Sequence, residues 1–184
     1  MTELASTGQL RAAFIRWALV LVPGVLALGF LSGQVAGSGP GNPWFDGLIK
    51  PLIYPPPAAF GIVWSILYVM MGVAAALVAA ARGARWRRAA LIAFAVQFVI
   101  NLAWTPTFFA AHQITWALAV IAALDVAVVV TIVLFRRVRT LAAWLLVPYL
   151  AWILFATALN WQFLVANPGA DGQRDSGAVT RIEI

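Results

Sequence analysis

The chain has 184 residues, 64% of them hydrophobic and 10% charged, with a mean hydropathy of +0.94, so lipid rather than water is the expected solvent. Its net charge of +6 does not point to nucleic acid, because the basic residues lie in short clusters between hydrophobic runs. With no cysteine and a single histidine, His112, disulfides, thiol chemistry and multi-histidine metal cages are excluded.

Five apolar stretches follow one another: residues 17–39, 58–81, 89–111, 114–135 and 140–166. At about 1.5 Å per residue, about 22 residues reach across ~30 Å of hydrocarbon, so each stretch can cross a membrane once. Helices are expected, since lipid leaves backbone polar groups to be satisfied internally, and no stretch shows the alternation of a membrane barrel. The expected fold is an all-α membrane protein, a bundle of five transmembrane helices spanning 17–166 after a polar segment, 1–16.

The first span is too long for a signal-peptide core and lacks a small-x-small cleavage site, so it reads as a retained helix. Within it Gly29, Gly33 and Gly37 recur every four residues, a spacing that admits a second helix at close range; Gly37 equally suits a glycine-rich exit from the membrane. The connection at 40–57 is the one long loop. It carries Trp44, Phe45 and Asp46, then Lys50-Pro51, Tyr54 and Pro55-Pro56-Pro57. Prolines stiffen it into extended geometry, which suits a semi-rigid lid, while its aromatics alone would equally serve as interfacial anchors.

The later spans place polar and aromatic residues at helical spacing. Span two has Trp64 and Tyr68; span three has Asn101, Trp104 and Phe108, with Pro106 inside it; span five has Tyr149, Trp152, Ala156 and Asn160 after Pro148. Amides are costly against lipid, so Asn101 and Asn160 are expected to face the bundle interior, as interhelical hydrogen bonds or as ligand contacts. An interior of Trp, Tyr and Asn with almost no charge suits a large flat apolar ligand. Asp125, the one acid at mid-membrane, has no Lys or Arg at similar depth. A neutral Asp hydrogen-bonded to a neighbouring helix is expected there, with a proton relay or ligand contact as the functional alternatives.

Arg11 and Arg16 precede span one, Arg82, Arg85, Arg87 and Arg88 separate spans two and three, and Arg136, Arg137 and Arg139 separate four and five. Alternating spans bring these nine to one side, which the positive-inside rule makes cytoplasmic, with the C-terminus outside. The polar residues 167–184 are expected to be a disordered tail. No internal repeat supports an inverted-repeat transporter.

From Trp44 to Trp161 the sequence resembles the translocator protein family, also called TspO/MBR or peripheral-type benzodiazepine receptors, in its bacterial form. The resemblance rests on Trp44-Phe-Asp46 with Lys50-Pro51 and Pro55-Pro56, on Asn101-Leu-Ala-Trp104-Thr-Pro106-Thr-Phe108, and on Pro148-Tyr149-Leu-Ala-Trp152-Ile-Leu-Phe155-Ala156-Thr-Ala-Leu159-Asn160. It implies five packed helices in a bacterial cell membrane, pairing as a homodimer, with a pocket closed by the first loop. It further implies tetrapyrrole ligands such as protoporphyrin IX and haem, sterols and benzodiazepine-type drugs, with no cofactor or metal required.

Carried over by motif, Trp64, Tyr68, Asn101, Trp104, Phe108, Tyr149, Trp152, Phe155, Ala156 and Asn160 would line the pocket, and Trp44, Lys50, Pro51 and Pro55, with Asp46, would belong to the lid. Leu52-Ile53-Tyr54 stands where many bacterial relatives carry tryptophan, and the tyrosine–arginine cholesterol segment of mammalian members is absent. Three functions follow as expectations: a receptor or sensor that affects tetrapyrrole level or transport, a light- or oxygen-dependent porphyrin-degrading enzyme acting through Trp64 and Trp152, or a porphyrin or sterol transporter. No acid–base pair, nucleophile or metal cluster supports ordinary enzymology.

Overall fold

The structure, a computed structural model, describes residues 7–173. Residues 1–6 of the expected polar N-terminal segment and 174–184 of the expected tail lie outside the described residues. The described chain is helix and loop: α1 (Thr7–Val35), a short α2 (Pro43–Gly47), α3 (Pro57–Ala80), α4 (Arg87–Thr105) continued by a π-helical turn (Pro106–Ala110), α5 (Ile114–Arg136), α6 (Thr140–Leu145) and α7 (Val147–Ala166). Five helical stretches are long and apolar enough to cross a membrane: α1, α3, α4 with its π turn, α5, and α6 with α7. The protein is an integral, multi-pass membrane protein.

Two expected spans differ in detail, each for a local reason. The first helix starts at Thr7 rather than 17 and takes in Arg11 and Arg16, whose long stems let a helix run past the apolar core. It stops at Val35 rather than 39. Gly37, at φ 61°, donates to Gln34 O at 3.1 Å and Ser38 to Gly33 O at 3.0 Å, the paired bonds of a Schellman cap. The fifth span is two helices meeting at Leu146, because Pro148 has no N–H for an α-helical bond and its ring crowds the preceding turn.

The core is built around α3, which buries Leu67, Tyr68, Met71, Ala74, Ala75, Ala76 and Val78. Its small residues let α1 lie directly on it. A Cβ on Gly72 would stand 2.6 Å from Val22 Cα, so the two backbones meet there. The far side of α1 is open, with Leu19 70% and Val20 64% exposed, and α5 and α7 likewise turn Val126, Leu154 and Val165 outward. Apolar side chains exposed along spanning helices are what a bilayer covers. At the arginine-rich end, Arg87 Nε donates to Ala79 O at 2.9 Å and the Arg137 guanidinium lies 4.7 Å from the Trp86 ring, tying two loops together.

Candidate functional site

Proline chemistry shapes the middle of α4 and its extension. Pro106 has no N–H to offer the Leu102 carbonyl four residues earlier, and the helix widens into the π turn, with Ala111 N donating to Pro106 O at 2.9 Å. Ser32 Oγ, from α1, donates to that Leu102 carbonyl at 2.9 Å. The wider turn carries Phe108 and Phe109 towards the same interior as Trp104, which stacks on Phe108 at 5.3 Å.

Helices α1, α3, α4, α5 and α7 enclose a cavity of about 290 Å³ below the first loop. Trp64, Tyr68, Asn101, Trp104, Phe108, Trp152, Ala156 and Asn160 all line it, and no charged side chain does. Trp64 and Tyr68 stack at 5.1 Å, and the Phe60 ring meets Trp152 edge-on at 5.8 Å. Gly29 makes room for this wall: a Cβ there would stand 2.3 Å from the Tyr68 ring.

Two expected pocket residues lie elsewhere. Tyr149 is fully buried behind the wall, because the break at Leu146 turns it toward α4. Its hydroxyl accepts from Asn101 Nδ2 at 3.0 Å and donates to Gln97 Oε1 at 3.1 Å. Phe155 packs against Trp152 at 5.4 Å on the outer face of α7, facing a shallow apolar groove shared with Val63, Ile66 and Pro148. Tyr149 and Phe155 are therefore a positioning residue and an outer-face residue, not cavity lining.

The polar groups are ordered by donor counting. The Gln97 carbonyl oxygen can only accept, so Tyr149 spends its one hydroxyl hydrogen there and must accept from Asn101. Asn101 Oδ1 is left pointing to Tyr68, whose hydroxyl donates at a long 3.4 Å. Asn160 is held on both sides, Oδ1 accepting from Trp104 Nε1 at 3.1 Å and Nδ2 donating to Ile114 O at 3.0 Å. Trp152 Nε1 is buried without a hydrogen-bond partner among the described residues. Asp125 accepts from Thr157 Oγ1 on α7 at 2.9 Å, the neighbouring-helix contact expected of it, and neither residue lines the cavity.

The first loop folds as a lid, with side chains other than those expected reaching the cavity. Asn42 caps α2, its Oδ1 accepting from Phe45 N at 3.0 Å, and its Nδ2 donates to Phe109 O at 3.2 Å. Phe45 and Tyr54 face the cavity, together with Ser38, Gly39, Pro40 and Pro57. Trp44, Asp46, Lys50, Pro51 and Pro55 do not line it; Asp46, Lys50 and Pro51 instead bond within the loop. Asp46 Oδ2 accepts from Gly41 N at 2.9 Å, and Lys50 Nζ donates to the carbonyls of Phe45 and, at 3.0 Å, Leu48. Pro51 O accepts from Tyr54 N at 2.9 Å. Burial pulls the Lys50 ammonium below its ordinary value, opposed by the Asp46 carboxylate.

The described part of the expected tail, 167–173, packs against the first loop. Asn167 Oδ1 accepts from Ile49 N at 2.8 Å while its Nδ2 donates to Ile49 O at 3.0 Å. Trp44 Nε1 donates to Ala170 O at 3.2 Å, and the Trp44 ring stacks on His112 at 4.5 Å. His112 donates through Nδ1 to Gln173 O at 2.6 Å, since that carbonyl only accepts.

Five spanning helices around an uncharged, tryptophan-walled cavity, covered by a capped loop, define a multi-pass membrane protein with an apolar interior pocket. The family model described as "TspO/MBR family" matches residues 19–166, and the chain belongs to that family. It is 37% identical over 147 residues to the "Tryptophan-rich protein TspO" of Chlorobaculum tepidum, covering 78% of this chain and 90% of that one. It is 39% identical over 150 residues to the human "Translocator protein", covering 80% and 89%. To the "Tryptophan-rich sensory protein" of Cereibacter sphaeroides it is 38% identical over 124 residues, covering 67% and 77%. The match extends through α1, beyond the motifs that carried the resemblance.

Gln97 and Phe60 escaped the sequence reading, in which Phe45 and Tyr54 figured only as loop aromatics. Gln97 lies one turn before Asn101, a spacing that signals a shared helix face. The loop aromatics had no periodicity to mark which side they would turn inward.

Proposed function

We propose that the protein is a membrane sensor or translocator that takes a tetrapyrrole such as protoporphyrin IX or haem, or another flat apolar molecule of sterol or benzodiazepine-drug type, into this cavity, as a receptor acting on the ligand's level or transport. The observation that carries the reading is the wall itself: Trp64, Trp104 and Trp152 with Tyr68, Phe60 and Phe108, interrupted by Asn101 and Asn160. Indole faces stack on a macrocycle, and a few amides fix its orientation. The names of the relatives, "Translocator protein" and "Tryptophan-rich sensory protein", support the same reading.

The lid end faces outside the cytoplasm in this proposal, because the nine arginines of the spans and their connections gather at the other end. A second copy of the chain docks on α4 through Ala89 and Ala93. Of the competing small-residue positions, Gly29 and Gly72 are occupied by Tyr68 and Val22 of the same chain, Gly33 lies against Ser38, and Ala76 is fully buried.

Titration of the purified protein with protoporphyrin IX, followed by tryptophan quenching and the Soret band in the dark, tests the binding. Saturable quenching that weakens at least about tenfold in Trp152→Ala is expected, the size of losing one ring contact of about 1.4 kcal/mol. Absence of saturable binding overturns the reading. Loss of the Soret band only under light, abolished by Trp64→Phe or Trp152→Phe, would replace it with a porphyrin-degrading enzyme.

A further inference from the structure

The segment after α7 is joined to the lid and to the turn between α4 and α5 at five separate points. Asn167, only 8% exposed, grips both backbone groups of Ile49, in the extended exit of the lid. Its Nδ2 also donates to Phe163 O at 3.0 Å, so the grip is anchored to the last turn of α7. Trp44, on α2, donates to Ala170 O. Gly172 N donates to His112 O at 2.8 Å, His112 Nδ1 donates to Gln173 O, and Asp171 Oδ1 accepts from Thr115 N at 3.2 Å. The His112 ring in turn lies flat against Trp44, with an interplanar angle of 13°. His112 and Gly172 both take left-handed backbone, at φ 56° and 73°.

These contacts leave the lid with two kinds of attachment. Phe45 and Tyr54 press on the cavity aromatics from above, among them Phe108, Phe109, Phe60 and Phe163. A ligand entering the cavity must disturb that layer. Asn167, Ala170 and His112 hold the lid through its backbone at Ile49 and through Trp44, neither of which lines the cavity. Hydrogen bonds are directional and break over a fraction of an ångström, whereas apolar contact yields gradually. The strap is the part of the closure that is either made or broken.

We propose that Asn167 and His112 are lid-positioning residues: residues 167–173 form a strap that latches the first loop shut, and the strap sets how fast ligand enters and leaves the cavity. The inference rests on the cavity being the ligand site, and its first measurement needs no ligand. The chain has no cysteine, so Leu52→Cys at the exposed lid tip and Trp116→Cys on α5 take spin labels uniquely.

Electron–electron distance measurements on this pair are expected to show one narrow distribution, and Asn167→Ala a second, longer population. His112→Ala serves as the independent variant should Asn167→Ala fail to fold. Stopped-flow quenching with protoporphyrin IX is then expected to show association and dissociation both accelerated about tenfold, the size of losing the Ile49 pair, with Kd changed less than about threefold. A narrow distribution and unchanged rates in both variants overturn the strap. So does slower association with Kd weakened in proportion, which marks general damage to the site. If porphyrin fails to bind the parent protein, the proposed ligand class falls while the label distances still decide the latch.

Discussion

The Ser32 hydroxyl of α1 donates to the Leu102 carbonyl of α4 at 2.9 Å, the carbonyl that Pro106 leaves without its helical donor. One contact thus joins a helix with few buried residues to the signature turn of the cavity wall. Ser32→Ala is expected to cost about 1–2 kcal/mol, since a partly buried carbonyl is left unpaired. Pro106→Ala restores an N–H at that position, so in its background the Ser32→Ala cost should fall toward zero. Thermal unfolding of the two single variants and the double variant in detergent reads the coupling.

Backbone proximity at Gly72 makes a second prediction. A methyl there would collide with Val22 Cα rather than with a side chain able to turn away. Gly72→Ala should lower stability by about 1–3 kcal/mol and loosen α1. Gly24→Ala on α1, where nothing lies within 4 Å, should leave the unfolding midpoint unchanged or raise it.

The Asn101–Tyr149–Gln97 chain orients the one amide that faces both Tyr68 and the cavity. Tyr149→Phe leaves Asn101 Nδ2 and Gln97 Oε1 without that partner, and a loss of about 1–3 kcal/mol is expected in unfolding. Gln97→Leu frees the Tyr149 hydrogen to turn elsewhere and should cost less. Equal losses in the two variants would contradict this order.

Asp125 sits between its Thr157 partner and an oxygen, Oδ1, buried without one. Thr157→Val keeps the shape and removes the hydroxyl, and should destabilise by about 1–2 kcal/mol. Asp125→Asn retains a hydrogen-bonding group of the same size and should be close to neutral. A large loss from Asp125→Asn alone would show that the carboxyl group itself, rather than its shape, is required.

Tyr54 of the lid is pushed above its ordinary 10.0 by burial first and by the Asp46 carboxylate second. The folded lid therefore favours the neutral phenol. That contribution to stability is fully present below the ordinary value and is lost as pH rises through the higher folded one. Ultraviolet titration of phenolate should show the first tyrosine ionising above the free-phenol range, and Asp46→Asn should move it downward.

The sequence by itself determined the number of spans, the helical class and most of the cavity wall. Long apolar runs leave helices as the only spanning form, and Trp64, Tyr68, Asn101, Trp104, Trp152 and Asn160 lie on faces that helical spacing alone aligns. Pro148 and Pro106 were equally visible as interruptions, but whether each would kink, break or widen its helix depended on what could satisfy the freed carbonyls. Only the tertiary structure decided that Phe45 and Tyr54, not Trp44 or Lys50, face the cavity. It likewise decided that Tyr149 stands behind Asn101, and that 167–173 closes over the lid. Loops and chain ends carry no periodicity. Their side chains turn toward whichever distant backbone groups need partners, and those become neighbours only when the helices pack.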